Sequence, residues 1–428
     1  MGLPSAQPTP TAIAGARYAL GLLLVVYVFN HIDRQIMNIL IEPVRIELQA
    51  TDAQMGLLVG VAFALFYTFA GLPVARWADR GSRRTLISLA LAVWSALTAA
   101  CGLARNYFEL LLARIGVGIG EAGCTPPAHS LISDYFPAER RATALSFYQV
   151  GVPIGTLLGM AFGGWMADTL GWRLAFMVVG LPGLLLAVVV RTTLREPRRG
   201  QADAPTTDVS VQPVPEVLRF LWRMHSLRHA LVATAVQTLA LAAQASWHAP
   251  FLMRVYGLSA TQAGFALGLI AGAPGGISTF AGGWLGDRLG LRDLRWYLWL
   301  PALGAVASIP FSLLAYTAES APAAIAFLVA ATLFNHLYSG LGHAVAQSLV
   351  KPRMRAVMSA VALFMMNLVG FGLGPWLAGI ASDAFRPVYG EESIRYALLV
   401  FTAALVWAGL HYLRAARTYR ADLDAKNR

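Results

Sequence analysis

Ala78-Asp79-Arg80-Gly81-Ser82-Arg83-Arg84 closes the second apolar segment of this chain, and Gly286-Asp287-Arg288-Leu289-Gly290 closes the eighth. A second pair of turns follows the fourth and tenth segments: Pro137-Ala138-Glu139-Arg140-Arg141-Ala142 and Pro352-Arg353-Met354-Arg355-Ala356. The copies stand about 208 and 214 residues apart, close to half the chain, as a duplicated unit requires. What the unit is made of is decided by the segments between these turns.

Those segments are 18–40, 54–76, 85–104, 107–134, 142–168, 171–193, 228–253, 260–285, 295–316, 321–349, 356–383 and 394–415. Each is long enough for a helix to cross the hydrocarbon core, which takes about 20 residues. Composition agrees: 57% of residues are hydrophobic and 13% charged, and mean hydropathy is +0.58. A soluble domain carries about a quarter charged residues, so much of this surface must face lipid. The expectation is an all-α membrane protein of twelve transmembrane helices in two pseudo-symmetric six-helix bundles. Residues 1–194 form the first bundle and 228–428 the second bundle with its tail. The linker 195–227 is expected to be cytoplasmic, with an amphipathic helix near Val217–Leu227.

A net charge of +11 is compatible with nucleic-acid binding, but its distribution is not. With both termini on one side, 25 Lys and Arg lie on that side and 6 on the other; Arg34 and Arg114 within spans complete the 33. The positive-inside rule therefore puts both termini in the cytoplasm. No nucleic-acid partner is expected. The N-terminal stretch with Pro4, Pro8 and Pro10 lacks a basic signal-peptide region, so the first segment reads as a retained helix. A compact chain without large tails suits a bacterial inner (cytoplasmic) membrane and a monomer. Cys101 and Cys124 sit in apolar segments and form neither a disulfide framework nor a metal site. No cofactor or metal is expected, and no intramembrane nucleophile–base constellation points to an enzyme.

Charge inside a span costs on the order of 2.5–3.5 kcal/mol and is functional by default. Asp33, Arg34, Arg114 and Glu121 are such residues. Arg114 and Glu121 lie two turns apart on one helix face, too far for a direct pair. Each therefore needs a partner from another helix, and Asp33-Arg34 is the natural one. A carboxylate alternately exposed to the two sides can take up and release a proton; the bland alternative is a fixed ion pair that only sets helix packing, and Arg34 could instead snorkel to the interface. In the second half, Asn335 stands where Glu121 stands in the first, with His336 and His343 nearby. These three, with Tyr148 and Phe364, are candidates for a substrate cavity, although such a His more often packs than carries protons. The Gly116–Gly120 run has no preceding strand and is not a dinucleotide loop.

Taken together, the turns resemble the signature of the major facilitator superfamily, whose fold is the twelve-helix arrangement above. That signature opens on Gly; Ala75 stands there in the first copy and Gly283 in the second. The first half is similar to the Spinster branch, the sphingolipid and lysolipid transporters. The matching stretches are Asp33-Arg34, Val93-Trp94-Ser95, Arg114 to Glu121-Ala122, Asp134 to Arg140, Gly151 to Gly155, Pro182-Gly183 and Arg195-Glu196-Pro197. The resemblance implies a proton-coupled secondary transporter working by alternating access. Asp33, Glu121, Arg114 and Arg34 would couple protonation to the movement of a lysolipid or sphingolipid-like amphiphile. It also implies a cytoplasmic gating motif of Asp79, Arg80, Gly81, Arg83, Arg84 and Asp134, repeated as Asp287, Arg288 and Gly290. Partners would be membrane lipids, the amphiphilic substrate and protons. An organic-anion or drug transporter of the same fold, with Arg114 binding the anion, is the alternative.

Overall fold

The computed structural model describes residues 15–199, 214–351 and 354–426. Part of the linker and the turn residues Pro352 and Arg353 lie outside the described residues. Among the described residues, eighteen α-helices make the fold. The first half contains α1 (Ala16–Leu48), α2 (Asp52–Val59), α3 (Val61–Arg80), α4 (Arg83–Cys101), α5 (Tyr107–Glu121), α6 (Thr125–Tyr135), α7 (Ala138–Gln149), α8 (Gly151–Leu170) and α9 (Trp172–Thr193). After α10 (Val214–Arg223), the second half contains α11 (His225–Tyr256), α12 (Ala260–Gly290), α13 (Trp296–Thr317), α14 (Ala321–Asn335), α15 (Leu341–Leu349), α16 (Arg355–Met365), α17 (Gly374–Tyr389) and α18 (Ser393–Lys426). A π-helical stretch, Met366–Leu373, joins α16 to α17.

These elements make twelve crossings because four spans are broken once: α2–α3 at Gly60, α5–α6 at Ala122–Cys124, α7–α8 at Val150 and α14–α15 around His336–Tyr338; a fifth is softened by the π-helical stretch. Ten continuous apolar stretches are long enough to cross a membrane. One of them, Val357–Ala425, holds the last two crossings, and the broken α5–α6 pair supplies the remaining one. The helix ends have local causes. Asn106 caps α5 by accepting from the Glu109 N–H, and Thr51 and Ser259 each close a capping box with a Gln three residues on. Gln49 and Gly257 take left-handed backbone and stop α1 and α11.

The reading 18–40 for the first span is short at its far end. α1 continues through Pro43 to Leu48, and Glu42 and Arg45 are buried within it. Their charges look like a loop in sequence; in the fold they meet partners from the second half. The linker contains α10 where an amphipathic helix is expected, with Val217 buried and Trp222 exposed.

The two halves meet along seams of small residues, and the seams open toward the end that holds the termini. Along α8 and α12 the divergence is graded. A Cβ on Gly264 would lie 2.2 Å from the Met160 carbonyl, one on Gly268 3.1 Å from that of Leu157, one on Gly272 4.0 Å from that of Pro153, and one on Gly276 would meet nothing within 4 Å. The seam of α2–α3 against α17 behaves alike: a Cβ on Gly56 would lie 2.3 Å from the Pro375 carbonyl, whereas Gly71 is open. The molecule is therefore a wedge, sealed at the far end. Gly264→Leu is expected to force that seal apart, because its nearest neighbour is backbone and cannot yield. Spin labels at Ile46→Cys and Val388→Cys should then report longer distances than in the parent, and unchanged distances would refute the seam assignment.

Candidate functional site

Midway along the first bundle, four charges from two helices cross-pair. Arg34 Nε donates to Glu121 Oε2 at 2.6 Å, and an Arg114 Nη1 stands 3.7 Å from Asp33 Oδ2. Consecutive residues of α1 thus answer two residues of α5 that lie two turns apart, as their spacing on one face requires. Asp33 also accepts a 2.7 Å hydrogen bond from Thr98 of α4. Gly118, between Arg114 and Glu121, lets α5 approach α3: a Cβ there would be 3.0 Å from the Phe63 carbonyl. The Phe63 ring in turn lies 5.0 Å from the Arg34 guanidinium and 5.6 Å from that of Arg114, with Tyr67 4.9 Å from Arg34.

Burial divides the four. Asp33, Arg114 and Glu121 are at most 2% exposed, whereas the Arg34 side chain is 30% exposed. The arrangement is incompletely satisfied: Asp33 Oδ2, Glu121 Oε1 and Arg114 Nε and Nη1 are buried without hydrogen-bond partners. Asp33 and Glu121 are also electrostatic neighbours. Two buried, interacting carboxyl groups thus each keep an oxygen without a donor.

The expected gating motif is an interlocked turn within the first half. Arg83 pairs with Asp134, donates to Ser130 Oγ at 2.9 Å and to the Pro197 carbonyl at 3.1 Å, and its backbone N–H donates to Glu196 at 2.7 Å. Ser82 caps α4 and donates to the same Glu196 carboxylate. Burial alone would raise the Glu196 pKa, but the Ser82 and Arg83 donors outweigh it and hold it below the usual range. Arg84 reaches the Leu194 carbonyl at 3.4 Å, while Arg80 is exposed. The Asp79 side chain lies outside the described residues. In the second copy, Asp287 accepts from the Tyr297 hydroxyl at 2.9 Å, Arg288 lies over Trp284, and a Cβ on Gly290 would strike the Tyr297 ring at 2.5 Å.

The proposed cavity residues separate. Tyr148 is fully buried, stacked 4.2 Å from Tyr27, and Asn335 is buried and accepts from Gln237 at 3.1 Å. Neither presents surface to a cavity in this conformation, because neighbouring helices α1 and α11 cover them. His336 bonds back to the Thr332 carbonyl at 3.3 Å. His343 lines a small cleft with Leu231, Thr234, Met365 and Met366, and Phe364 is 43% exposed.

Sequence reasoning misses a second charged cluster, at the sealed end. Arg254 of α11 donates two 2.7 Å bonds to Asp52 and one of 2.7 Å to Glu42. Asp52 is fully buried and also accepts from Ser382 at 2.6 Å. Asp383 caps α2 from the other half, accepting from the Asp52 and Ala53 N–H groups at 3.0 and 2.8 Å. Asp168 does the same for α12, accepting from Thr261 N–H at 2.7 Å. Arg45 joins Glu42 to Glu391. The polar contacts that join the halves among the described residues gather here. Arg254 is one of 6 bases on the poor side of the charge count, and that isolation is the signal available in sequence.

Comparison with known proteins fits this geometry. The Major Facilitator Superfamily family matches residues 23–375. The chain is 33% identical over 407 residues to an MFS-type efflux pump of Mycolicibacterium smegmatis, covering 95% of this chain and 94% of that one. It is 27% identical over 467 residues to a sphingosine-1-phosphate transporter of Mus musculus, covering 98% and 84%. A bacterial homologue of the human lysosomal transporter Spinster, solved inward-facing and unoccupied, superposes with a TM-score of 0.89 at 32% identity, covering 96% and 99%. A duplicated twelve-helix wedge with charge sheltered between its helices is a carrier rather than an enzyme, and the chain belongs to the major facilitator superfamily, in its Spinster branch.

Proposed function

We propose that the chain is a proton-coupled secondary transporter that moves a lysolipid or sphingolipid-like amphiphile by alternating access, with both termini cytoplasmic in a bacterial inner membrane. In that orientation the wedge described above is inward-open. One observation carries the proton role: Asp33 and Glu121 are buried neighbours, and each has a carboxyl oxygen without a donor. A proton bound between them supplies that donor. Protonating Glu121 also weakens its hold on Arg34, the one partly exposed member of the set, which is then free to meet an anionic headgroup. Loss of the proton restores the Arg34–Glu121 pair and displaces the headgroup. Competition for one guanidinium is thus a physical means of coupling. The rings of Phe63 and Tyr67 beside Arg34 suit an amphiphile, which offers both charge and hydrocarbon. The similarity to a sphingosine-1-phosphate transporter supports the same cargo class. Arg114 is a weaker anion site than the organic-anion alternative needs, since it is buried behind Asp33.

The outer cluster would be the seal that opens in the other state. Removing one partner of a buried ion pair costs about 3–5 kcal/mol, so the closed outer end should lose most of its advantage in Arg254→Met.

Three outcomes are expected. In proteoliposomes with an imposed pH gradient, Asp33→Asn and Glu121→Gln should each lower gradient-driven uptake of a lysophospholipid about tenfold or more, while energy-independent exchange persists; wild-type uptake under every gradient sinks the proton role. Arg254→Met should raise labelling of a cysteine placed at the buried Ala50 by an impermeant thiol reagent added from outside, and unchanged labelling would dismiss the seal. Glu196→Gln should lower thermal stability at pH 7 by about 1 kcal/mol, as for a charge-assisted hydrogen bond at a partly exposed site. Because the native Glu196 pKa is depressed, its contribution is present above the ordinary carboxylate pKa and fades as pH falls through the native value. The gap between variant and parent should therefore narrow on acidification, and a gap constant from pH 7 to pH 3 contradicts the assignment.

A further inference from the structure

At the opposite face of the second bundle, away from both charged clusters, the start of α11 meets the end of α18. Three histidines stand there together. His229 Nδ1 is 3.0 Å from His411 Nδ1, and the His225 and His229 rings are 5.5 Å apart. Arg228 lies 5.4 Å from the Trp222 ring of α10, and Trp407 packs edge-on against His411 at 5.9 Å. Arg228, Arg414 and His225 all act electrostatically on His229. Asp422, which lies on the adjoining part of α18, is occupied in accepting from Ser226 N–H at 2.7 Å and from the Ser226 hydroxyl at 2.5 Å. Arg228 and Arg414 have no carboxylate partner among the described residues, and Arg228 Nε is buried without a hydrogen-bond partner. Two arginines without a carboxylate, one of them with an orphaned buried donor, lack a counter-ion.

The surroundings identify where that ion comes from. Below Arg414, α18 presents Val406, Trp407, Leu410 and Leu413, between 43% and 56% exposed, on one apolar face. Trp222, which lies against Arg228 at the start of α11, is 72% exposed. Apolar residues giving way to arginine across two indole rings mark the boundary between hydrocarbon and headgroups. An anion that reaches this depth with hydrocarbon attached is a lipid of that leaflet. The His229–His411 contact fits the same ligand. Between two neutral imidazoles one Nδ1 donates and the other accepts, so the accepting ring carries its proton on Nε2 and can donate it to a phosphate oxygen.

We propose that Arg228, Arg414 and the His225–His229–His411 group hold the phosphate of an anionic phospholipid, with an acyl chain along the Val406–Leu413 face of α18 and Trp222 folded over the headgroup. The bound lipid ties α10 to the second bundle.

The purified full chain in detergent, titrated with phosphatidylglycerol and with phosphatidylcholine of the same chains, tests this by native mass spectrometry. The wild type should retain phosphatidylglycerol in preference to phosphatidylcholine. The double variant Arg228→Gln, Arg414→Gln should bind phosphatidylglycerol about 30-fold more weakly, whereas Arg228→Lys, Arg414→Lys recovers most of the loss. Equal retention of the two lipids, or a double variant that binds as the parent does, overturns the site. Should the double variant fail to fold, the wild type alone decides. Its melting temperature should rise with phosphatidylglycerol and not with millimolar inorganic phosphate; an equal rise with phosphate, or none with the lipid, refutes a lipid occupant.

Discussion

Ionised side chains withdrawn from water must find opposite charge or donors, and that requirement organises this molecule at two depths. At mid-bundle it binds α1 to α5 within the first half, through Arg34–Glu121 and Asp33–Arg114. At the sealed end it binds the first half to the second, through Asp52, Glu42 and Arg254. The same physics has different consequences because the partners differ. In the proposed cycle a pair within one bundle would survive rocking of the bundles, and its protonation would change without opening anything. A pair between bundles would have to break for the sealed end to open, so its energy would weigh on the balance between states.

The outer seal is strong in part because it spends backbone groups as well as side chains. Asp383 and Asp168 each cap a helix of the opposite half. The N-terminal N–H groups of a helix are orphans and carry partial positive charge, so a carboxylate from the other bundle satisfies them at close range. On opening, those donors and those carboxylates both return to water, which softens the cost of separation. The glycines of the seam contribute in another way. They bring carbonyls of the opposite helix into contact, a geometry that fades along α12 from Gly264 and is gone at Gly276. Close packing that fades with distance lets the halves pivot about one end.

The twelve segments and their duplication were legible because hydrocarbon imposes a single, long-range signal on composition. The pairing of Asp33-Arg34 with Arg114 and Glu121 was legible too, since charge at mid-membrane has few possible partners and helical spacing leaves fewer. The far end of α1 was not. Glu42, Arg45 and Glu47 read as a polar turn, and only their partners in the other half explain why the helix continues and why Glu42 and Arg45 are buried. Tyr148 and Asn335 are covered in this conformation for a related reason. Periodicity gives the face of a helix but not which neighbour covers it, and stacking on Tyr27 or bonding to Gln237 is a tertiary fact. The breaks at Gly60, at Ala122–Cys124 and near His336 were hidden as well, because glycine and small residues are common in membrane helices for packing alone.

α1 connects the two depths. Asp33 and Glu42 are nine residues apart on one unbroken helix, about 13 Å along its axis. A change in the charge of the Asp33–Glu121 pair alters how α1 is held against α5, and the far end of the same rod carries half of the outer seal. If the proposed proton coupling operates, no chain of side-chain contacts is needed to link proton to gate, because a rigid helix held at both depths would do it. The requirement is that both ends be held by charge as well as by packing, so that each could be released by a change in protonation or partner.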